Sequence, residues 1–170
     1  MPEWVKNELR IEGDVVEIFR LLSEVFTGGR FDFNKVLPMP AHQPDLSLPD
    51  PFWGEGHDVD DTVLAAFGDN TWFAWAPKHW GTKWNTLATE VAPPSKEGDY
   101  GVLWFESAWN SVDPIILELS EMYPHLSFRY RYELKTMGFG GVDIIRNGEF
   151  IETYTIEEYS NIEKNDPSWK

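Results

Sequence analysis

Residues 100–132 read YGVLWFESAWNSVDPIILELSEMYPHLSFRYRY, and this stretch decides the fold. Residues 100–107 are dense in aromatic and branched side chains, which is typical of a buried strand. Asp113 and Pro114 then open a helix, because proline favours the first helical turn. Residues 126–132 alternate apolar or aromatic with polar side chains, as a strand with one buried face does. The stretch therefore predicts a strand, a helix and a second strand.

The beginning of the chain repeats the first two of these elements. Residues 4–11 alternate in polarity, with Trp4 on the side opposite to the apolar positions, and this alternation predicts a strand. Asp14 stands at an N-cap position with Glu17 three residues later, which resembles a capping box. The helix that follows shows apolar residues at helical spacing and ends before Gly28.

The middle third of the chain breaks this rhythm. Residues 31–37 alternate in polarity, and the chain then enters a region rich in proline, aspartate and glycine. We interpret about residues 38–78 as an insertion, which contains a capped helix from His57 to Phe67 and an irregular aromatic piece that ends at Pro77. Residues 86–91 then predict a short strand.

The last part of the domain reads as a β-hairpin. Residues 142–146 and 149–154 flank Asn147-Gly148, a strong signal for a two-residue hairpin turn. Such an additional hairpin could pair edge to edge with another chain, so an oligomer is an open alternative. Residues 157–170 are polar and acidic, and we expect them to form a flexible tail.

Together these elements predict an α+β protein with a ferredoxin-like βαββαβ sheet, an irregular helical insertion after the first helix and an extra C-terminal hairpin. The sheet should be antiparallel with both helices on one face. We expect the insertion to cover part of the other face. Residues 1–156 would then form one domain, followed by the tail of residues 157–170.

The chain is strongly acidic, with a formal net charge of −15 over 170 residues. Such a field repels phosphate backbones and anionic membranes, and it attracts basic protein surfaces, including those that hold nucleic acid. Acidity serves solubility as well, without any partner. We expect a protein partner and neither direct nucleic-acid binding nor membrane binding.

Cysteine is absent, which excludes disulfides and thiolate metal ligands. The N-terminus has no signal-peptide pattern, and no apolar run is long enough to cross a bilayer. We therefore expect a cytoplasmic protein.

Several strings of the sequence resemble one known family. They are residues 4–7 (WVKN), residues 33–40 (FNKVLPMP), residues 80–85 (WGTKWN) and residues 105–109 (FESAW), in this order. They resemble the YubB ferredoxin-like domain family, whose members are uncharacterised proteins of plasmids, phages and genomic islands. The resemblance covers about residues 1–150, and it implies a ferredoxin-like fold and a mobile-element setting. It implies no activity and no catalytic residue.

The most conspicuous candidate site is the segment of residues 78–85 (KHWGTKWN). Lys78, His79 and Lys83 could hold an anion while the indoles of Trp80 and Trp84 stack a base or a sugar. The alternative is architectural: the tryptophans fill space on the sheet and the lysine pairs with a carboxylate such as Glu106. We favour the architectural interpretation.

Two carboxylate groupings are weaker candidates. Glu106 lies near Trp109 and Asp113 at the end of a strand, where a salt bridge and a helix cap explain the acids better than acid–base catalysis does. His57 stands close to Asp58, Asp60 and Asp61, but their spacing fits no known metal motif, and a helix N-terminus attracts carboxylates by itself.

No catalytic motif or cofactor motif occurs in the sequence, so we predict no catalytic residue, no metal and no cofactor. Arg129 and Arg131 alternate with Tyr130 and Tyr132 on a strand, but the RNA-recognition signature is missing and the net charge opposes RNA binding. The sequence favours a non-enzymatic acidic binding protein, acting as an accessory or anti-defence factor that mimics nucleic-acid charge. The alternative is a protein, either a binding protein or an enzyme, that binds a small anionic ligand or a nucleotide through residues 78–84.

Overall fold

A computed structural model describes residues 2–39 and 72–165, without the side chains of residues 72–74. These residues form helices and strands in the following chain order: β1 Trp4–Glu12, α1 Val15–Glu24, β2 Phe26–Thr27, β3 Arg30–Phe31, α2 Phe33–Val36, α3 Trp72–His79, β4 Leu87–Ala92, β5 Gly101–Ala108, α4 Asp113–Met122, β6 Ser127–Leu134, a 3-10 turn Lys135–Met137, β7 Phe139–Arg146, β8 Glu149–Tyr154 and α5 Ile156–Asn165. No helix in this part of the chain is long and apolar enough to cross a membrane.

Six strands form one sheet in the spatial order β4-β5-β1-β6-β7-β8. All neighbouring strands are antiparallel. The first four strands of this order, with α1 and α4, form the predicted βαββαβ unit, and β7 and β8 extend it. The prediction of an α+β, ferredoxin-like fold is confirmed.

Strand β1 shows how the two faces of the sheet differ. Val5, Leu9 and Ile11 are fully buried on the face that packs against the helices. Leu9 lies opposite Leu103 of β5 and Tyr130 of β6, so the core continues across the central strands. The alternate positions of β1 point to the other side of the sheet, which we call the second face.

The local signals for α1 and for the hairpin are confirmed. The backbone N–H of Glu17 donates to Asp14 Oδ1 at 3.0 Å, which caps α1. Asn147 and Gly148 have φ values of 47° and 75°, the left-handed conformation that a type I′ turn requires. Strand β8 lies at the edge of the described sheet with Phe150 and Ile151 exposed, and its pairing with another chain stays a prediction.

Residues 31–37 do not continue as a strand, although their polarity alternates. Strand β3 ends at Phe31, and a single helical turn, α2, follows. Asp32 Oδ1 accepts a hydrogen bond from Asn34 N at 3.0 Å and so caps this turn. Phe33 and Val36 are three residues apart and both buried, so the period of a helix suits this stretch as well as the period of a strand.

The insertion is described only in part. The helix expected from His57 to Phe67 and the acidic group around Asp58 lie outside the described residues. Helix α3 replaces the irregular aromatic piece that we expected, and it continues through Pro77 to His79. Helical hydrogen bonding resumes after the proline, because the backbone N–H of Trp80 donates to the carbonyl oxygen of Ala76 at 2.7 Å.

The acidic tail was expected to be flexible, but residues 156–165 form helix α5. The side chain of Thr155 accepts from Glu158 N at 3.1 Å, and that of Glu158 accepts from Thr155 N at 2.8 Å, which is a capping box. Tyr159 is only 2% exposed and contacts Arg129 on the second face. We expected the insertion to cover part of this face, and among the described elements α5 packs against β7 and β8 and reaches Arg129 of β6.

Candidate functional site

The tryptophan segment of residues 78–85 is a structural junction in the folded chain. Trp80 is fully buried, and its Nε1 donates to the carbonyl oxygen of Leu37 at 2.9 Å. Its ring meets that of Phe33 edge to face, with 5.6 Å between the ring centroids. A buried indole with a satisfied N–H has no free face for a ligand, so Trp80 belongs to the core.

Trp84 belongs to a second, smaller aromatic cluster. It is 5% exposed and lies between Trp4 and Trp109, with ring centroids at 6.1 and 5.0 Å. Lys83 Nζ lies 4.9 Å from the centroid of the Trp109 ring, which is a cation–π contact. This cluster closes one end of the second face beside Ala108.

The polar residues of the segment connect it to neighbouring loops. Thr82 Oγ1 donates to the carbonyl oxygen of Ala108 at 2.7 Å. Asn85 Oδ1 accepts from Phe33 N, and its Nδ2 donates to Asp32 Oδ1 at 2.7 Å. Gly81 has a φ of +83°, and a Cβ atom there would lie 2.9 Å from the carbonyl oxygen of Ser111. The glycine therefore allows the close backbone approach that the junction needs.

Apart from Trp80, which belongs to the core, the predicted site residues lie in three different places. His79 stacks on Trp75 at 4.3 Å between ring centroids and shares a 2.9 Å hydrogen bond with its carbonyl oxygen, while Lys78 on the same helix is exposed. Lys83, Trp84 and Trp109 meet in the small aromatic cluster. Glu106 lies elsewhere, on the second face of the sheet.

Glu106 borders a groove on the β4–β5–β1 side of the second face, the side away from α5. The groove encloses about 380 Å³, and we name it the Trp104 groove. Its lining consists of Lys6, Asn7, Ala88, Glu90, Trp104, Phe105 and Glu106.

Trp104 forms the aromatic wall of this groove and is 37% exposed. Its Nε1 donates to Glu8 Oε2 at 3.0 Å, which fixes the orientation of the indole. In the strand register Trp104 lies opposite Glu8 on β1 and Glu90 on β4. Residues directly opposite each other on one sheet face are neighbours, so carboxylates flank the indole on both sides.

An irregularity in β4 shapes the outer wall of the groove. The register between β4 and β5 shifts between Leu87 and Glu90, and Ala88 has a φ of +47°. A bulge of this kind bends an edge strand and redirects its side chains. The register shift places Glu90 opposite Trp104. No feature of the sequence predicts this register shift.

The arginines and the aromatic rings of β6 do not share one surface. Arg129 Nη1 donates to the hydroxyl of Tyr159 at 2.6 Å, and Arg131 Nη2 lies 3.9 Å from Glu133 Oε2. Tyr130 is fully buried on the helix-covered face. The arginines and the aromatic rings of β6 thus lie on opposite faces.

A buried polar network under the sheet was not anticipated from the sequence. Asn7 Nδ2 donates to Ser107 Oγ at 2.9 Å, and Asn7 Oδ1 accepts from the Tyr130 hydroxyl at 2.6 Å. That hydroxyl also accepts from Val112 N at 2.9 Å. The signal was available, because Asn7 interrupts an otherwise apolar face and a buried polar group needs partners.

Two aspartates border this network. Burial raises the pKa of Asp143, and the charge of Asp113 raises the pKa further. Burial also raises the pKa of Asp113, which was expected to cap α4. Val112 is the N-cap residue instead, because Asp113 is already the first helical residue. Among the described residues no group of three or more His, Asp or Glu side chains could hold a metal ion.

Comparisons with known proteins give a family and a fold. A family model described as "Ferredoxin-like domain in Api92-like protein" matches residues 79–169. The fold is similar to the crystal structure of the protein Api92 from Yersinia pseudotuberculosis, with a TM-score of 0.60 and 11% sequence identity. The alignment covers 91% of this chain and 98% of that chain. At this identity the similarity shows the fold alone. No curated protein matches the sequence.

Proposed function

The chain belongs to the family of ferredoxin-like domains of Api92-like proteins, and from this premise we propose that it is a non-enzymatic acidic protein that binds a basic partner protein. The proposed contact is the second face of the sheet, on its β4–β5–β1 side. A protein that holds nucleic acid has a surface of the matching charge, and this acidic chain would occupy it by mimicking phosphate charge.

One observation carries the proposal. Trp104 exposes a large aromatic ring on a strand, and Glu8 and Glu90 lie opposite it on the two neighbouring strands. Tryptophan is enriched among the few residues near the centre of a protein interface that carry most of the binding energy. Carboxylates around it select a partner of positive charge.

The distribution of charge around the sheet supports the same partner. Residues 149–165, which comprise β8 and α5, contain five glutamates and one lysine. Glu149, Glu152, Glu157 and Glu158 are exposed. A negative field of this extent raises the association rate with a basic protein and weakens as salt is added.

We propose that the chain is a YubB-type protein of a plasmid, phage or genomic island, with an accessory or anti-defence role. The support is the set of sequence strings at residues 33–40 and 80–85. A cytoplasmic setting is part of this proposal, and the absence of cysteine agrees with a reducing compartment.

The alternative of a small anionic ligand at residues 78–84 has weaker support. Trp80 and Trp84 are buried, so their rings offer no face on which a nucleotide base could stack. A broad panel of nucleotides and phosphorylated metabolites tests this alternative. Thermal stabilisation by one of them, lost in a Lys78→Ala, Lys83→Ala double variant, would favour it.

Affinity capture from bacterial lysate, read by mass spectrometry, tests the proposed function. The immobilised full chain should retain a nucleic-acid-binding protein at about 0.1 M salt and release it at about 0.5 M salt, since screening shortens the range of charge attraction. Added duplex DNA should compete for the captured protein. Glu90→Lys with Glu106→Lys should abolish capture, while Lys96→Glu with Lys135→Glu, on distant exposed lysines, should retain it. Capture that is indifferent to salt, to DNA and to these charge reversals contradicts the proposal.

A further inference from the structure

Three aromatic rings on or beside the second face carry a cation of the same chain. The guanidinium carbon of Arg10 lies 3.6 Å from the ring centroid of Tyr100, and that of Arg129 lies 5.6 Å from the ring centroid of Tyr159. Lys83 occupies the equivalent position over Trp109. Trp104 differs from these rings: among residues 2–39 and 72–165, no cation lies over its exposed indole.

Carboxylates surround this unoccupied ring. Glu90 and Glu8 lie opposite Trp104 in the strand register, and Glu106 is two residues further along β5 on the same face. Arg129 Nη2 lies 3.9 Å from Glu8 Oε1, and Lys6 lines the groove together with two carboxylates, those of Glu90 and Glu106. The groove therefore keeps a negative balance around an aromatic wall.

We propose that the Trp104 groove binds the guanidinium group of an arginine side chain presented by the basic partner, an inference that rests on the proposed function. A guanidinium is planar, so it stacks on an indole and at the same time donates hydrogen bonds to carboxylates at its edge. A related arrangement, a guanidinium between an aromatic ring and a carboxylate, occurs within the protein. Arg10 stacks on Tyr100, and its Nε lies 2.6 Å from Glu12 Oε1.

The groove is prepared for such a group before any partner arrives. The hydrogen bond from Trp104 Nε1 to Glu8 holds the indole in place, so little side-chain freedom is lost on binding. Glu90 on β4 and Glu106 on β5 line the groove together with Trp104, so carboxylate acceptors from two strands border it. A lysine ammonium is not planar and cannot stack on the indole, so it should bind more weakly than a guanidinium. An anion should also bind more weakly, because the carboxylates repel it.

Nuclear magnetic resonance of the full chain tests the inference with defined probes. The indole N–H resonance of Trp104 is assigned by its loss in a Trp104→Phe variant. A capped tripeptide Gly-Arg-Gly should shift this resonance saturably at about 1–10 mM. The same peptide with citrulline, a neutral group of the same shape, should leave it unmoved, and the lysine peptide should bind more weakly.

Matched charge variants complete the test. Glu90→Gln with Glu106→Gln should weaken binding of the arginine peptide by about fivefold or more. Glu97→Gln with Glu121→Gln changes the net charge equally at exposed positions away from the groove and should leave binding unchanged. Equal shifts by the arginine, lysine and citrulline peptides overturn the inference, and so does the lack of a saturable shift with the arginine peptide. So do equal losses in the two double variants.

The two proposals fail in distinguishable ways. If salt-sensitive capture of a basic protein persists in Trp104→Phe and no arginine peptide shifts the indole resonance, the arginine inference fails while the proposed function stands. If the arginine peptide binds as expected but no basic protein is captured, the proposed function fails and the groove remains a guanidinium site.

Discussion

The two faces of the sheet use tryptophan in opposite ways. Trp80, on the helix-covered side, is fully buried and its N–H is bonded to a backbone carbonyl. Trp104, on the second face, is partly exposed and its N–H is bonded to the side chain of Glu8. A backbone partner fixes an indole inside the fold, whereas a surface carboxylate holds one where a partner can reach it. The conspicuous tryptophan motif of this chain is thus architectural, and the functional candidate is an isolated tryptophan within a strand.

The largest effect on stability should come from the covered tryptophan. Trp80→Ala should lower the free energy of unfolding by about 3–5 kcal/mol, because a large buried ring leaves a cavity. Trp104→Ala should cost about 1 kcal/mol or less, since a partly exposed side chain on one sheet face is removed. Urea denaturation of both variants measures the difference. Equal losses would contradict the contrast between the two faces.

The glycine within the tryptophan segment should come next. Gly81→Ala combines a positive φ with a contact of 2.9 Å to the carbonyl oxygen of Ser111. Gly98→Ala is the matched control, because Gly98 has nearly the same φ, +82°, and no atom near the added Cβ. The control should cost about 1–2 kcal/mol from the left-handed backbone alone. Gly81→Ala should lower the free energy of unfolding by more than Gly98→Ala does. An equal loss would show that a Cβ atom at position 81 fits without a clash.

A smaller, pH-dependent effect is expected from the buried carboxyl of Asp143 on the covered face. Burial raises its pKa, so the folded chain holds the proton to higher pH than the unfolded chain does. The contribution of this group to stability is therefore full below the unfolded pKa, and it falls as pH rises towards neutrality. Asp143→Asn keeps a neutral group in place and should be more stable than the natural chain at about pH 7.

The stability that Asp143→Asn gains over the natural chain should decrease as the pH falls towards about 5. This pH lies above the sequence pI of about 4.5. Asp99→Asn is the control of opposite sign, because hydrogen bonds from Ser95 lower the pKa of Asp99. That variant should lose stability at neutral pH. Chemical denaturation at both pH values checks the two variants together, and a pH-independent gain from Asp143→Asn would contradict the stated cause.

Much of the fold could be predicted, because several helix ends and turns are determined by residues that are close together in the sequence. Asp14 caps a helix and Asn147-Gly148 makes a turn through contacts with near neighbours in the sequence. The alternation over residues 31–37 left the local structure open, because Phe33 and Val36 suit a helical turn as well as a strand. Helix α5 was missed although Thr155 and Glu158 have the spacing of a capping box, whereas the contact of Tyr159 with Arg129 joins residues far apart in the sequence.

The candidate groove could be predicted only in part. Glu106 was singled out, but Trp104 was assigned to a buried strand, since composition alone does not show which face of a strand is covered. Glu90 lies opposite Trp104 after the register shift in β4. Sites of this kind depend on register, and register is decided by pairing between distant parts of the chain.

The most direct test of the central claim compares partner capture by two variants of the full chain. Trp104→Ala removes the exposed indole of the second face, and Lys78→Ala with Lys83→Ala removes the cations of the tryptophan segment. Both variants should fold, and circular dichroism would check this. We predict that the Trp104 variant loses the salt-sensitive basic partner and that the double lysine variant retains it. Loss in the lysine variant with retention in the Trp104 variant would contradict the account and return the binding site to residues 78–85.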